Sequence, residues 1–196
     1  PAPPLRRCAD VRSGSSRRPR RGSAGARHSR YAGTMQFLTD GFRHSAWATS
    51  ALLDACIQAG PQKVSEASEG MYQPVEEILR HAVTVEHNYL RLLGADRPEA
   101  HPKTLDAAGL LALQEAIGEA YARFLQRADA AALDRTVHIS WFKADVSAGD
   151  ALLQVLIHSA EHRADVAFAL NRRGVKTPHM DYVVWALKVR DGRPES

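Results

Sequence analysis

The chain has 196 residues, 44% of them hydrophobic and 24% charged, which suits one globular domain with an appendage. It has no apolar run of the roughly 18 residues a membrane-spanning helix needs, and its two cysteines cannot form a disulfide framework. The formal net charge of +4 is unevenly placed: residues 1–34 carry nine arginines and one acid, whereas residues 35–196 carry a net charge of −4. Nucleic-acid binding through the domain is therefore not expected.

Residues 1–34 are rich in Arg, Pro, Gly, Ser and Ala and show no apolar period, so the segment is expected to be disordered. Its composition suits a transit peptide or a basic arm. A third reading takes it as no part of the working protein, because the first methionine is Met35, where the globular pattern starts. It has no signal-peptide apolar core, and the expected location is the cytoplasm.

From residue 35 onward, helical patterns follow one another. The first predicted helix runs from about Asp40 to Ala59, with Thr39 or Asp40 as N-cap and Gly60-Pro61 as a stop. The second spans about Pro74 to Leu93, with Ile78, Ala82, Val85 and Tyr89 as its buried stripe and Gly94 beyond its end. The third spans about Leu105 to Arg127, capped by Thr104. A connection of 23 residues follows, in which Thr136–Phe142 could be extended. The fourth spans about Ala151 to Arg173, capped by Asp150, with Gly174 beyond it, and a short fifth helix spans about Met180 to Val189. Four long helices without strand alternation predict an all-α four-helix bundle.

The chemistry lies in the fourth helix. His158 and His162 stand four residues apart, which places both imidazoles on one face within reach of one metal ion. Bundle metal sites take further ligands from facing helices, and His81, at the edge of the second helix's stripe, is the expected third. His87, six residues on, is expected on the outer side. Three neutral imidazoles would leave an open coordination position, the catalytic arrangement. The competing reading is three hydrogen-bonded core histidines without metal. Apolar neighbours all along the fourth helix (Leu152, Leu153, Val155, Leu156, Ile157, Val166, Phe168) suggest a deeply placed helix, in which Gln154, His158 and His162 would need partners. The HSAEH run also matches an inverted zinc-protease motif, but only 34 residues follow His162 and the setting is helical.

Four segments together resemble the DinB/YfiT-like metalloenzymes. These are FRHSAWATSALLDAC in the first helix, His81, Glu86 and Tyr89 in the second, LLQVLIHSAEHRADV in the fourth, and the closing GVKTPHMDYVVWAL. The resemblance covers residues 35–196. It implies an antiparallel four-helix bundle with one divalent metal on His81, His158 and His162, and dimers in several members. It further implies, for some members, S-transfer from low-molecular-weight thiols. A hydrolase with the same metal site and a non-catalytic metal-binding or stress-response bundle are the alternatives. Zinc is the first expectation for the metal, with nickel or iron as substitutes. Ser45 and Thr49 stand where the family frequently has an Asn.

His44, Gln154 and Arg163 are expected to support the metal ligands or touch substrate: His44 across from the site, Gln154 one turn before His158, Arg163 with its planar fork for an anion. Glu161 is expected at the surface, Cys56 in the core, and Trp47, Trp141 and Trp185 in the core or a pocket wall.

Overall fold

The computed structural model describes residues 24–65, 71 and 73–192, with side chains from residue 35 onward. Its elements in chain order are helices α1 (Ala24–Ala59), α2 (Pro61–Val64), α3 (Val75–Leu92), α4 (Ala107–Arg127) and α5 (Ala130–Asp134), then strands β1 (Thr136–Ile139) and β2 (Ala144–Ser147). Helices α6 (Ala148–Arg172) and α7 (Tyr182–Trp185) follow, the latter running into a π-turn over Ala186–Arg190. The long helices α1, α3, α4 and α6 form the bundle, with α1 against α4 and α6, and α3 against α6 and α4. The predicted second, third and fourth helices are α3, α4 and α6.

Local chemistry explains the ends. α3 and α6 both stop at a glycine with positive φ, Gly94 (65°) and Gly174 (73°), a conformation that disfavours a side chain. In each, two backbone N–H groups turn back to the last carbonyls. Ala95 N bonds Leu90 O at 2.9 Å and Gly94 N bonds Arg91 O at 3.0 Å; Val175 N bonds Leu170 O and Gly174 N bonds Asn171 O, both at 3.0 Å. α6 opens with a reciprocal cap, in which Ser147 Oγ accepts from Asp150 N at 3.0 Å and Ser147 N donates to Asp150 Oδ2. Asp150 is thus the third residue of the helix rather than its cap. α4 is capped by Asp106, whose Oδ1 accepts from Gly109 N at 2.8 Å. Thr104 sits instead in a 3-10 turn, its hydroxyl donating to His101 O.

The helix expected to begin near Asp40 begins at Ala24. Residues 24–34, expected in the disordered tail, therefore continue α1, since extending a formed helix through Ala and Arg fixes one residue per new hydrogen bond. The remainder of the expected tail, residues 1–23, lies outside the described residues. The extended patch ends at Ile139, because Ser140–Lys143 make the turn of a hairpin pairing Thr136 with Ser147 and Ile139 with Ala144. Among the described residues no helix is long and apolar enough to cross a membrane.

The core includes Leu52, Leu53, Ile78, Leu79, Leu90, Ile117, Leu152 and Val155, with Phe42 stacked on Tyr121 at 4.2 Å between ring centroids. α1 and α4 approach closely at Gly118. A Cβ placed there would stand 2.6 Å from Ala46 Cβ, which the α1 backbone holds in place. Gly118→Val should therefore destabilise the protein by about 2–3 kcal/mol through overpacking, more than helix propensity returns, read as a lower denaturation midpoint.

Candidate metal centre

His81 projects from α3 and His158 and His162 from successive turns of α6, and the three meet in the groove between these helices. His158 Nε2 lies 3.3 Å from His81 Nε2 and 3.1 Å from His162 Nε2. His81 is exposed and the other two are half-buried, so the cluster is open to solvent on one side.

The donor set fits a divalent cation. Zinc–imidazole bonds of about 2.0–2.1 Å in tetrahedral geometry put the nitrogens about 3.3 Å apart, which matches both short edges. Protons shared between nitrogens cannot satisfy this arrangement well, because His158 Nε2 faces two other ring nitrogens. Nδ1 of His158 and of His162 is buried without a hydrogen-bond partner; Asp165 Oδ2, 3.6 Å from His162 Nδ1, is the nearest carboxylate to it. Burial and the neighbouring imidazoles lower the pKa of His158 to about 4, and burial and His162 lower that of His81. Both are thereby held neutral, the form that binds metal. Among the described residues no fourth His, Cys, Asp or Glu joins the group.

Behind the histidines lies a buried polar network. Glu86 on α3 is 3% exposed, and its carboxylate accepts from Ser159 Oγ at 2.6 Å and Gln114 Nε2 at 2.8 Å. Tyr121 donates to the Glu86 carbonyl at 2.8 Å. Burial raises the Glu86 pKa, against the opposing effect of these donors and of Arg163. Arg163 donates through Nη1 to Ser45 Oγ at 2.7 Å and Thr49 Oγ1 at 3.2 Å on α1. Ser159 and Arg163 are the residues immediately after the two α6 histidines, so the core bolts that fix the helix's rotation also aim its imidazoles at α3. Sequence reasoning missed this role for Glu86. The signal was an acid between Ala82 and Tyr89, on the stripe predicted to be buried.

The remaining candidates lie elsewhere. His44 is on α1, its Nε2 bonded to Met180 O at 2.7 Å and its ring beside Tyr182 and Trp185, outside the triad. Arg163 is 7% exposed and points towards α1 rather than into the histidine groove. Gln154 is exposed, as is Glu161. His87, expected outside, is 1% exposed, because the loop after α3 folds over it and Pro98 O meets its Nε2 at 2.8 Å. Nor is α6 buried all round. Leu153, Ile157 and Phe168 are 53%, 47% and 56% exposed, since a bundle helix keeps an outward face. Cys56 and Trp185 are buried as expected, while Trp141 is 47% exposed at the hairpin tip, its ring edge against Tyr89.

A cavity of about 730 Å³ adjoins the triad, lined by His81, Gln73, Arg80, Thr84 and Lys103. Arg80 is committed to its wall, donating from Nη1 to the carbonyls of Pro102 and Leu105 at 2.8 and 2.6 Å.

Comparison with known proteins gives a consistent result. A family model described as the DinB family matches residues 35–190. Solved structures with the same fold include a DinB-like protein from Bacillus cereus ATCC 10987, with TM-score 0.58 and 16% identity over 69% of this chain and 90% of that one. The DinB-like protein YjoA of Bacillus subtilis has TM-score 0.55 and 18% identity over 74% of this chain and 96% of that one. YfiT of Bacillus subtilis, described as a probable metal-dependent hydrolase with an unusual four-helix bundle topology, has TM-score 0.57 and 16% identity, covering 82% of this chain and 95% of that one. No curated protein matches.

Two expectations follow from the geometry. The folded state holds His158 at about 4 against an ordinary 6.5, so the unfolded chain takes up this proton first. The corresponding stability is present above about pH 6.5 and is lost as pH falls towards 4. Metal-stripped protein should melt at a lower temperature at pH 5 than at pH 7, and by a smaller difference in His158→Ala. Ser159→Ala leaves Glu86 Oε1 without its donor in the core and should destabilise by about 2 kcal/mol, measured by denaturant unfolding.

Proposed function

The chain belongs to the DinB family, and from that premise we propose that it is a divalent-metal-dependent enzyme whose ion is held by His81, His158 and His162. The observation that carries this reading is the convergence of three Nε2 atoms at metal-ligand spacing, with no fourth protein ligand among the described residues, beside a cavity that His81 itself lines. Zinc suits the donor set best, with nickel and iron as alternatives.

A bound divalent ion supplies a Lewis acid that draws the pKa of a coordinated water towards about 7 or keeps a thiol as thiolate. The protein's residues do the rest. Glu86, Ser159 and Arg163 hold α6 at the rotation that presents two imidazoles together. Burial keeps His158 free of its proton at neutral pH. The cavity beside His81, with Arg80 fixed in its wall, receives the electrophile. In the first version the nucleophile is a low-molecular-weight thiol, giving S-transfer, as the family resemblance implies. In the second it is water, giving hydrolysis, which the description of the YfiT neighbour favours.

Elemental analysis of the purified full chain should find about one equivalent of divalent metal per chain, lost in His81→Ala and in His158→Ala. Paired assays of thiol consumption and ester or amide hydrolysis in the reconstituted protein separate the two versions. Either activity should fall on the order of 10³-fold in His158→Ala, the loss of several kcal/mol of transition-state stabilisation. Absence of metal after reconstitution, or full activity in that variant, would overturn the proposal.

A further inference from the structure

We propose that Arg163 floors a second ligand site, on the far side of α6 from the histidines, which takes the carboxylate of a small molecule. The site is a cavity of about 500 Å³ between α1, α6 and the segment 177–181, bordered by His44, Ala160, Arg163, Ala164 and Met180. Successive α-helical residues project about 100° apart, so Ala160 and Ala164 face nearly opposite to His158 and His162. The cavity is therefore separate from the metal groove, and the inference does not depend on the metal reading.

Arg163 is the reason to expect an anion. Its side chain is nine-tenths buried, yet among the described residues no carboxylate lies within ion-pair distance of it. Glu86 acts on it only through space, its own oxygens being engaged by Ser159 and Gln114. A buried guanidinium without an ion pair is unfavourable unless something else compensates it. Only Nη1 is used, by Ser45 Oγ, Ser45 O and Thr49 Oγ1. Among the described residues Nε and Nη2 have no hydrogen-bond partner, neither is fully buried, and Arg163 lines the cavity, so this edge is available to a ligand there. The Nε–Nη2 edge is a planar pair of donors at the spacing of a carboxylate's two oxygens.

The walls agree with this assignment. His44 bonds the Met180 carbonyl oxygen through Nε2, which requires the hydrogen there, and so ties segment 177–181 to α1 and keeps the cavity's shape. Burial lowers the pKa of this imidazole, so the site's fixed positive charge is that of Arg163. The acid on the rim, Asp181, is 75% exposed and paired with His179 at 3.5 Å. Ala160 and Ala164 present only methyl groups, leaving room for the apolar part of a small carboxylic acid. Ser45 and Thr49 take part as well. They occupy Nη1 with short hydroxyls and turn the opposite edge outward.

The test uses the full chain, uniformly labelled with nitrogen-15, titrated with acetate, succinate, inorganic phosphate and neutral acetamide. The readouts are the Arg163 Nε–H signal and the indole N–H signals of Trp47 and Trp185, whose rings lie 6.0 and 5.9 Å from that of His44. Saturable shifts are expected with acetate and succinate and not with acetamide. The His158→Ala variant should bind as well as the parent, which separates this site from any carboxylate on the metal. Arg163→Lys keeps the charge but loses the fork, and Ala164→Leu fills the cavity without touching Arg163; each should weaken binding at least about tenfold. Absence of saturable shifts, equal shifts with acetamide, or parental affinity in a folded Ala164→Leu protein would overturn the site. Phosphate binding more tightly than both carboxylates would overturn the assigned ligand class.

Discussion

The rotation of α6 about its own axis is the constraint on which the rest depends. Ser159 is hydrogen-bonded to a buried carboxylate on α3 and Arg163 to two hydroxyls on α1. Glu86 and Ser159 are buried, so a lost partner there leaves a polar group with little to replace it. Adjacent residues on a helix differ by about 100° in direction. Once 159 and 163 are pinned to the core, 158 and 162 must face α3, and 160 and 164 must face the far side. The histidine cluster and the Arg163 cavity are thus two outcomes of one fixed phase.

Such a network also explains how a carboxyl group and a guanidinium can both sit inside a small bundle. Glu86 and Arg163 do not touch. Each is instead surrounded by neutral donors or acceptors, the carboxylate by Ser159 and Gln114, the guanidinium by Ser45 and Thr49. Direct pairing would satisfy the charges but give up the links to separate helices. Hydroxyls and an amide spread the connections over α1, α3, α4 and α6. In this way the network fixes the relative placement of all four bundle helices, which hydrophobic burial, being non-directional, does less sharply.

Much of this was legible in the sequence, and the misses have definite causes. Helix ends marked by Gly60-Pro61, Gly94 and Gly174 were readable because the backbone there needs a special conformation. The three histidines were readable because a spacing of four on a helix fixes a common face. The start of α1 was not, because no residue there blocks propagation. His87 was placed outside by reasoning that a residue away from the metal faces water. α3 is covered on two sides, by α6 and by the loop carrying Pro98, so away from the metal is still inward. The exposed Leu153, Ile157 and Phe168 show the opposite error, in which apolar content was read as depth. Glu86 stood on the buried stripe, so its burial was readable, but its partners and those of Arg163 were hidden because a hydrogen bond between two helices leaves no period in the sequence.

Ser45 and Thr49 have a physical meaning in this setting, since both hydroxyls accept from the Arg163 guanidinium. A hydroxyl offers one donor and two acceptor lone pairs on a short stem. Two hydroxyls can therefore both accept from Nη1 and hold it at a fixed place without neutralising it. The charge of Arg163 is left to act on Glu86 through the core and on the cavity at its open edge. On one side that charge opposes, without outweighing, the burial that raises the pKa of Glu86, and on the other it prepares a site for an external anion.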